Sequence, residues 1–454
     1  EGNAEPLNDR GSTTLQSGSS AQPYPFWGIG INGSGQFVQV TDTGADDASC
    51  FLRDFDVAAS LTGVFNSNAQ VARSLYYSPV TDKGRRKVVQ YIGRFANDAF
   101  KKDYSSGHGT HCAGSVAGSV PNSDDDDAVS SFSKYAGLAP AAQLMIYDFG
   151  TDTGGLSEPS DLSSQMFEPA YNEGARIHSN SWGGGYYYYS SGVTVDEFMY
   201  DKEDTLVIFA AGNDGDELGD LSILNPGVSK NALTVGAAVT STTPTTVAHF
   251  SARGPTYDFR LKPDVCGPGN SLYSAKASGS YGLASCAVVA KSGTSMATPA
   301  VAGAAALVRQ FLVEGRHEVF SSTAFSQSSY NVSNPSAALL KAILIGSTAP
   351  LSYGYDSTKT KVTLADFYSG SSAVADSAAY YLGTTGVDFT QGFGHVRLSN
   401  VFSLDGSFNT FLYEDLISEY STWAVDFTVT STGTEVDVTL AWTDPPASTY
   451  CDLY

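Results

Sequence analysis

From Gln36 onward the chain alternates short apolar runs with longer Ala-rich stretches, and no other feature restricts its fold as much. Gln36 to Thr41, Ala142 to Tyr147, Ala175 to Ser179, Thr205 to Ala211 and Ala232 to Ala237 read as buried strands, and several segments between them have helix length. Apolar strands joined by helical crossovers predict βα units and a mostly parallel sheet, an α/β fold covered on both faces. At 454 residues the chain is too long for one small domain, so something is expected to be appended to this unit. Residues 1–35, rich in Gly, Ser and Asn without periodicity, read as an extended N-terminal arm. Beyond Asp405 the texture changes. Trp423, Val425, Phe427 and Val429 alternate along one strand and Val436, Val438, Leu440 and Trp442 along another, with Ser431 to Thr434 as the turn. The strands are too few to bury a sheet face, so residues 405–454 are expected to be the beginning of an all-β C-terminal domain.

Charge narrows the partners. Against 47 Asp+Glu stand 25 Lys+Arg, a net charge of -22 that repels phosphate backbones and anionic membranes, so no nucleic acid is expected. The same acidity suits solubility in an extracellular medium. The longest apolar run, Ala300 to Val308, is far short of a membrane span, so none is expected. Glu1 to Arg10 is polar and unlike a signal peptide, which predicts that any export signal or pro-segment has been removed. Five cysteines, Cys50, Cys112, Cys266, Cys286 and Cys451, are too few for a disulfide scaffold and leave at least one thiol without an internal partner.

Three segments carry chemistry. Gly293-Thr294-Ser295-Met296-Ala297-Thr298-Pro299 introduces an Ala/Gly-rich run ending near Gly315, and Pro299 suits a helix's first turn, which places Ser295 at a helix N-terminus. There the backbone N–H and the helix dipole face charge developing on an attacked carbonyl, although Ser is also a common N-cap. A hydroxyl nucleophile needs a base, and Gly107-His108-Gly109-Thr110-His111-Cys112-Ala113-Gly114 offers one. The two His do not have the His-Glu-x-x-His spacing of a zinc site. The base needs a buried acceptor to orient it, and Asp42 closes the apolar strand Phe37 to Thr41.

Together these segments resemble the subtilases, whose triad runs Asp, His, Ser along the chain. Ser179-Asn180-Ser181-Trp182-Gly183, Phe209-Ala210-Ala211-Gly212-Asn213, Phe250 to Pro255 and Lys262 to Val265 extend the likeness over most of residues 23 to 400. The resemblance implies a subtilisin-like three-layer α/β/α peptidase domain over residues 36–404 and a serine endopeptidase acting on proteins or peptides through an acyl-enzyme. It implies Ser295 as nucleophile, His108 as base then acid, and Asp42 as orienter. Asn213 and the Ser295 N–H become the oxyanion hole, Ser181, Trp182 and Gly183 the strand that pairs with substrate, and Ala211 and Gly212 a wall of the pocket for the residue before the cut. Ala175 to Gly183 and Trp442 to Ser448 look most like the secreted alkaline proteases with a C-terminal β-barrel or jelly-roll domain, in which case residues 405–454 are part of such a domain and a separate β fragment becomes a partner. Secretion or the secretory pathway follows from the same likeness.

Other features are less specific. Asp124, Asp125, Asp126 and Asp127 offer hard oxygen ligands for a structural calcium, or form a solvated acidic loop. Tyr186 to Tyr189 suit an aromatic lip or packing, and Cys112 a small buried hydrophobe rather than a redox thiol. Met296 beside the nucleophile suggests peroxide sensitivity. Asp214, Asp216, Glu217 and Asp220 after Asn213 suggest a taste for basic substrates. Two rivals remain. Asp42-Thr43-Gly44 and Asp152-Thr153-Gly154 repeat the aspartic-protease loop, which long Ala-rich helices argue against. The other is a catalytically inactive binding or matrix protein that keeps the fold, which filled triad positions argue against.

Overall fold

The structure, a computed structural model, describes residues 7–54, 81–94, 103, 107–120, 134–151, 155–279, 285–316, 334–355, 360–364, 387–404, 410–414 and 436–447. Its centre is a sheet whose first strands are β1 (Phe37–Asp42), β2 (Val88–Gly93), β3 (Gln143–Asp148), β4 (Ile177–Asn180), β5 (Leu206–Ala210), β6 (Leu233–Val239) and β7 (Val265–Asn270). After the β8 (Leu272–Ala275) and β9 (Val288–Lys291) hairpin come β10 (Thr348–Ala349), β11 (Tyr353–Tyr355), β12 (Lys361–Thr363) and β13 (His395–Val396). Nine strands join in the order β10-β13-β7-β6-β5-β4-β1-β3-β2, parallel from β13 to β2, with β10 antiparallel at the edge. Helices cover the sheet in a three-layer α/β/α arrangement. The five strands expected from sequence are β1, β3, β4, β5 and β6, each displaced by no more than a residue or two.

Apolar patterning accounts for the interior. Strands β2 and β5 are buried at every residue, as strands covered on both faces must be. The helix Thr294–Val313 is buried nearly all round. It is long and apolar enough to cross a membrane by length and composition, but 89% of its apolar window is buried inside the fold, as in a central core helix.

Two expectations need correction. Leu7–Gln16 is a helix, not an extended arm. Its Gly-Ser-Thr-Thr composition gives little helical propensity; docking supplies the stability, with Leu15 fully buried and the Thr14 hydroxyl bonded to the Ser241 carbonyl. Pro299 lies inside the Ser295 helix, as its sixth residue, rather than in its first turn. Having no N–H, Pro299 leaves the Ser295 carbonyl four residues earlier free. That carbonyl instead accepts the Ser181 hydroxyl at 2.9 Å and the Cys112 thiol at 3.4 Å.

Of the expected C-terminal hairpin, Trp423 to Val429 lies outside the described residues. Val436 to Trp442 forms no strand and pairs with none among the described residues; Val438 and Leu440 are 80% and 74% exposed. The chain then docks. Asp444 and Asn231 exchange two hydrogen bonds, N–H to Oδ1 at 2.9 Å and Nδ2 to O at 2.8 Å, and Ala447 is buried beside Tyr188, Ala211 and Ile223.

Candidate active site

In an open α/β sheet the carboxyl ends of the strands at a switch in strand order form a crevice. Here β3 lies on one side of β1 and β4 on the other, so the switch is at β1. Asp42 is the last residue of β1. Ser181 to Gly183 follow β4, and Ala211 to Asn213 follow β5. Topology therefore brings the sequence-predicted residues to one edge.

Asp42 is 1% exposed, and its Oδ1 accepts the His108 Nδ1–H at 2.7 Å and the Thr43 N–H at 2.7 Å. His108 opens the helix His108–Ala117, while Gly107 before it has φ 60°, a left-handed conformation that suits glycine. Thr43 fastens that helix to the Asp42 loop by accepting the Gly109 N–H at 2.9 Å. Burial is the largest influence on His108 and opposes its imidazolium, but the Asp42 carboxylate beside it, Cys112 and their hydrogen bonds together outweigh this and hold His108 well above the ordinary histidine value. With Nδ1 committed to Asp42, Nε2 is the nitrogen left for a substrate or nucleophile.

Ser295 is the second residue of its helix, and its N–H is one of the first-turn donors that no helical carbonyl can take. Its hydroxyl rests on the Ser181 carbonyl at 3.2 Å rather than on His108. A change of χ1 rotamer redirects Oγ without moving backbone. Asn213 Oδ1 accepts the Thr294 N–H at 2.8 Å and the Thr294 hydroxyl at 3.1 Å. These bonds orient the amide and leave Nδ2 without a hydrogen-bond partner among the described residues. Two donors, Asn213 Nδ2 and Ser295 N–H, thus flank the same helix start.

The remaining predicted residues divide. Trp182 turns its ring inward, between Phe149 and Phe209 at 5.3 Å from each centroid, and donates Nε1–H to Thr41 Oγ1 at 2.8 Å. Tyr188 is buried on Asp196, whereas Tyr187 packs against Tyr257 with ring centroids 4.2 Å apart and Tyr189 is 53% exposed. The acidic stretch is partly occupied internally, Asp214 by the Tyr186 hydroxyl at 3.3 Å and Asp216 by His249 at 3.1 Å. Met296 is buried. Cys112 is a buried free thiol whose pKa burial raises, which agrees with its reading as a small hydrophobe. His111 bonds to the Leu272 and Val289 carbonyls, and burial lowers it to about 3, so it stays neutral. Asp124 to Asp127 and Asp152 to Gly154 lie outside the described residues.

Two contributors carry no motif in the sequence. Asp103, buried, accepts the Thr43 hydroxyl and the Thr110 N–H, each at 2.7 Å, and so braces both the Asp42 loop and the His108 helix. Its position, five residues before His108, is the only signal that could have found it. Cys50 and Cys286 form a disulfide that ties the loop after Asp42 to the approach to β9.

A sequence model described as "Subtilase family" matches residues 33–394. The chain belongs to the subtilase family. Among similar curated proteins, "Serine protease/ABC transporter B family protein tagD" of Dictyostelium discoideum is 29% identical over 84% of this chain but only 23% of its own length. "Serine protease AprX" of Bacillus subtilis is 35% identical over 45% of this chain and 49% of its own. "Pyrolysin" of Pyrococcus furiosus is 30% identical over 63% and 22%. The chain thus spans about a quarter of the length of the slime-mould relatives it matches. Family membership and these subtilase relatives support a serine peptidase built on the subtilisin-like fold.

Proposed function

We propose that this chain is an endopeptidase domain that hydrolyses peptide bonds in proteins through Asp42, His108 and Ser295. The observation that carries the reading is the 2.7 Å bond from His108 to a buried Asp42 at the sheet's switch point, beside a serine on a helix N-terminus. His108 Nε2 takes the Ser295 hydroxyl proton as Oγ bonds to the substrate carbonyl carbon. The electron pair moved onto the carbonyl oxygen is met by the Ser295 N–H and Asn213 Nδ2. Collapse of this intermediate breaks the C–N bond, and His108 passes its proton to the leaving amine. Water activated by His108 then releases the acyl group and restores Ser295. Asp42 holds the imidazole in the tautomer that exposes Nε2 and stabilises its charged form.

Further parts of the proposal rest on resemblance and chemistry. The backbone of Ser181, Trp182 and Gly183 adds the substrate as a strand, with Ala211 and Gly212 beside the side chain that precedes the cut. The enzyme is of the secreted alkaline type, with residues 405–454 contributing to a C-terminal β domain. Calcium held by the carboxylates of Asp124 to Asp127 would serve structure and take no part in the chemistry. Digestion of casein by the wild type but not by Ser295→Ala tests the assignment; equal digestion by both would overturn it.

A further inference from the structure

The slot between the two chain segments that receive substrate is not open at its base. Leu224 donates its N–H to the Ala211 carbonyl at 2.8 Å, and Asn225 donates to the Gly185 carbonyl and accepts the Gly184 N–H, each at 2.8 Å. The Leu224-Asn225 backbone therefore crosses from one substrate-side segment to the other. Its side chain spans the same gap. A methyl group built on Gly212 would lie 2.8 Å from Leu224 Cγ and 3.1 Å from Cδ1, and one built on Gly183 would lie 2.9 Å from Leu224 Cβ. Gly183 and Gly212 present bare backbone to a common slot, and Leu224 touches both walls. Ile223 beside it is buried with Ala211, Tyr188 and Ala447, so the floor is backed by packed side chains.

We propose that Leu224 forms the floor of the pocket for the residue preceding the scissile bond and restricts that residue to small side chains such as Ala. The inference rests on the peptidase reading and adds a substrate preference to it. Two glycine walls alone would admit a flat aromatic ring. The isobutyl group between them removes that depth. One methylene in a hydrophobic pocket is worth about 10–200-fold in specificity, so truncation to a methyl group should be read clearly.

The test is a set of chromogenic peptides identical except for Ala, Leu or Phe before the cleaved amide, with active sites counted by a small sulfonyl fluoride. Wild type should favour Ala over Phe at least tenfold in kcat/KM. Leu224→Ala should raise the Phe-to-Ala ratio about tenfold or more, while Leu224→Met, of similar volume, should keep the wild-type order. If Leu224→Ala does not fold, Leu224→Val should raise the Leu-to-Ala ratio. A fully titrating Leu224→Ala enzyme with the wild-type profile, or a wild type that favours Phe, would overturn the assignment alone. A folded wild type that neither cleaves nor labels would remove the peptidase reading and this inference with it.

Discussion

Replacing Asp103 by Asn should flatten the pH dependence of stability. The carboxyl is raised from 3.8 to about 7, chiefly by burial and further by the Asp42 charge, against the pull of its hydrogen bonds to Thr110 and Thr43. A carboxyl with a raised folded-state pKa contributes stability that is complete below its unfolded pKa and is lost as pH rises through the folded value. The window here is about pH 4 to pH 7. At 1.36 kcal/mol per unit, a rise of about 3 units sets a ceiling of roughly 4 kcal/mol on the loss. Asn fits the same space. Its Oδ1 can accept the Thr110 N–H while Nδ2 donates to Thr43 Oγ1, whose own hydroxyl then turns to Asp42 Oδ1, already 3.2 Å away. The exchange of bonds costs about 1 kcal/mol at either pH. Urea unfolding in a Ser295→Ala background, which prevents self-digestion, should show the protein with Asp103 intact losing up to about 4 kcal/mol more than the Asp103→Asn variant between pH 4 and pH 8. Parallel stability curves would refute a buried, perturbed Asp103.

Three further outcomes are expected. Asn213→Ala should lower kcat by about 10²–10³-fold with little change in KM, because an oxyanion donor acts mainly in the transition state; steady-state kinetics decide it. Asp42→Asn should lower kcat by about 10⁴-fold. It should also move the acidic limb of the pH–rate profile downward, since the Asp42 carboxylate is the largest of the influences that raise His108 against its burial; a limb that stays in place would contradict this. Serine at both Cys50 and Cys286 should destabilise the fold, because the bridge closes a loop across a separation of 236 residues. Chain-entropy reasoning puts the effect at about 5.5 kcal/mol at most, readable in urea midpoints of the same Ser295→Ala background.

The parallel sheet is legible because β1, β3, β4, β5 and β6 are apolar runs bounded by turn residues. Strand β7, Val-Cys-Gly-Pro-Gly-Asn, is not, since its sequence resembles a turn. It is a strand because β6 and β13 flank it and the Ser295 helix lies against it, with a methyl group on Gly267 only 2.8 Å from Val301 Cγ2. The N-terminal helix is hidden for a similar reason, as tertiary contact overrides weak propensity in its Ser-Thr segment. Asp42, His108, Ser295 and Asn213 stand out because each lies in a motif whose chemistry needs that residue type. Asp103 and Leu224 do not. A lone carboxylate and a lone leucine gain meaning only from what folding places against them.

The most direct test of the account is the mass of the folded protein after reaction with a sulfonyl fluoride. The account predicts one adduct per chain, on Ser295, and none in Ser295→Ala, with labelling greatly slowed in His108→Ala. No adduct on folded wild type, or an adduct that survives Ser295→Ala, would contradict it.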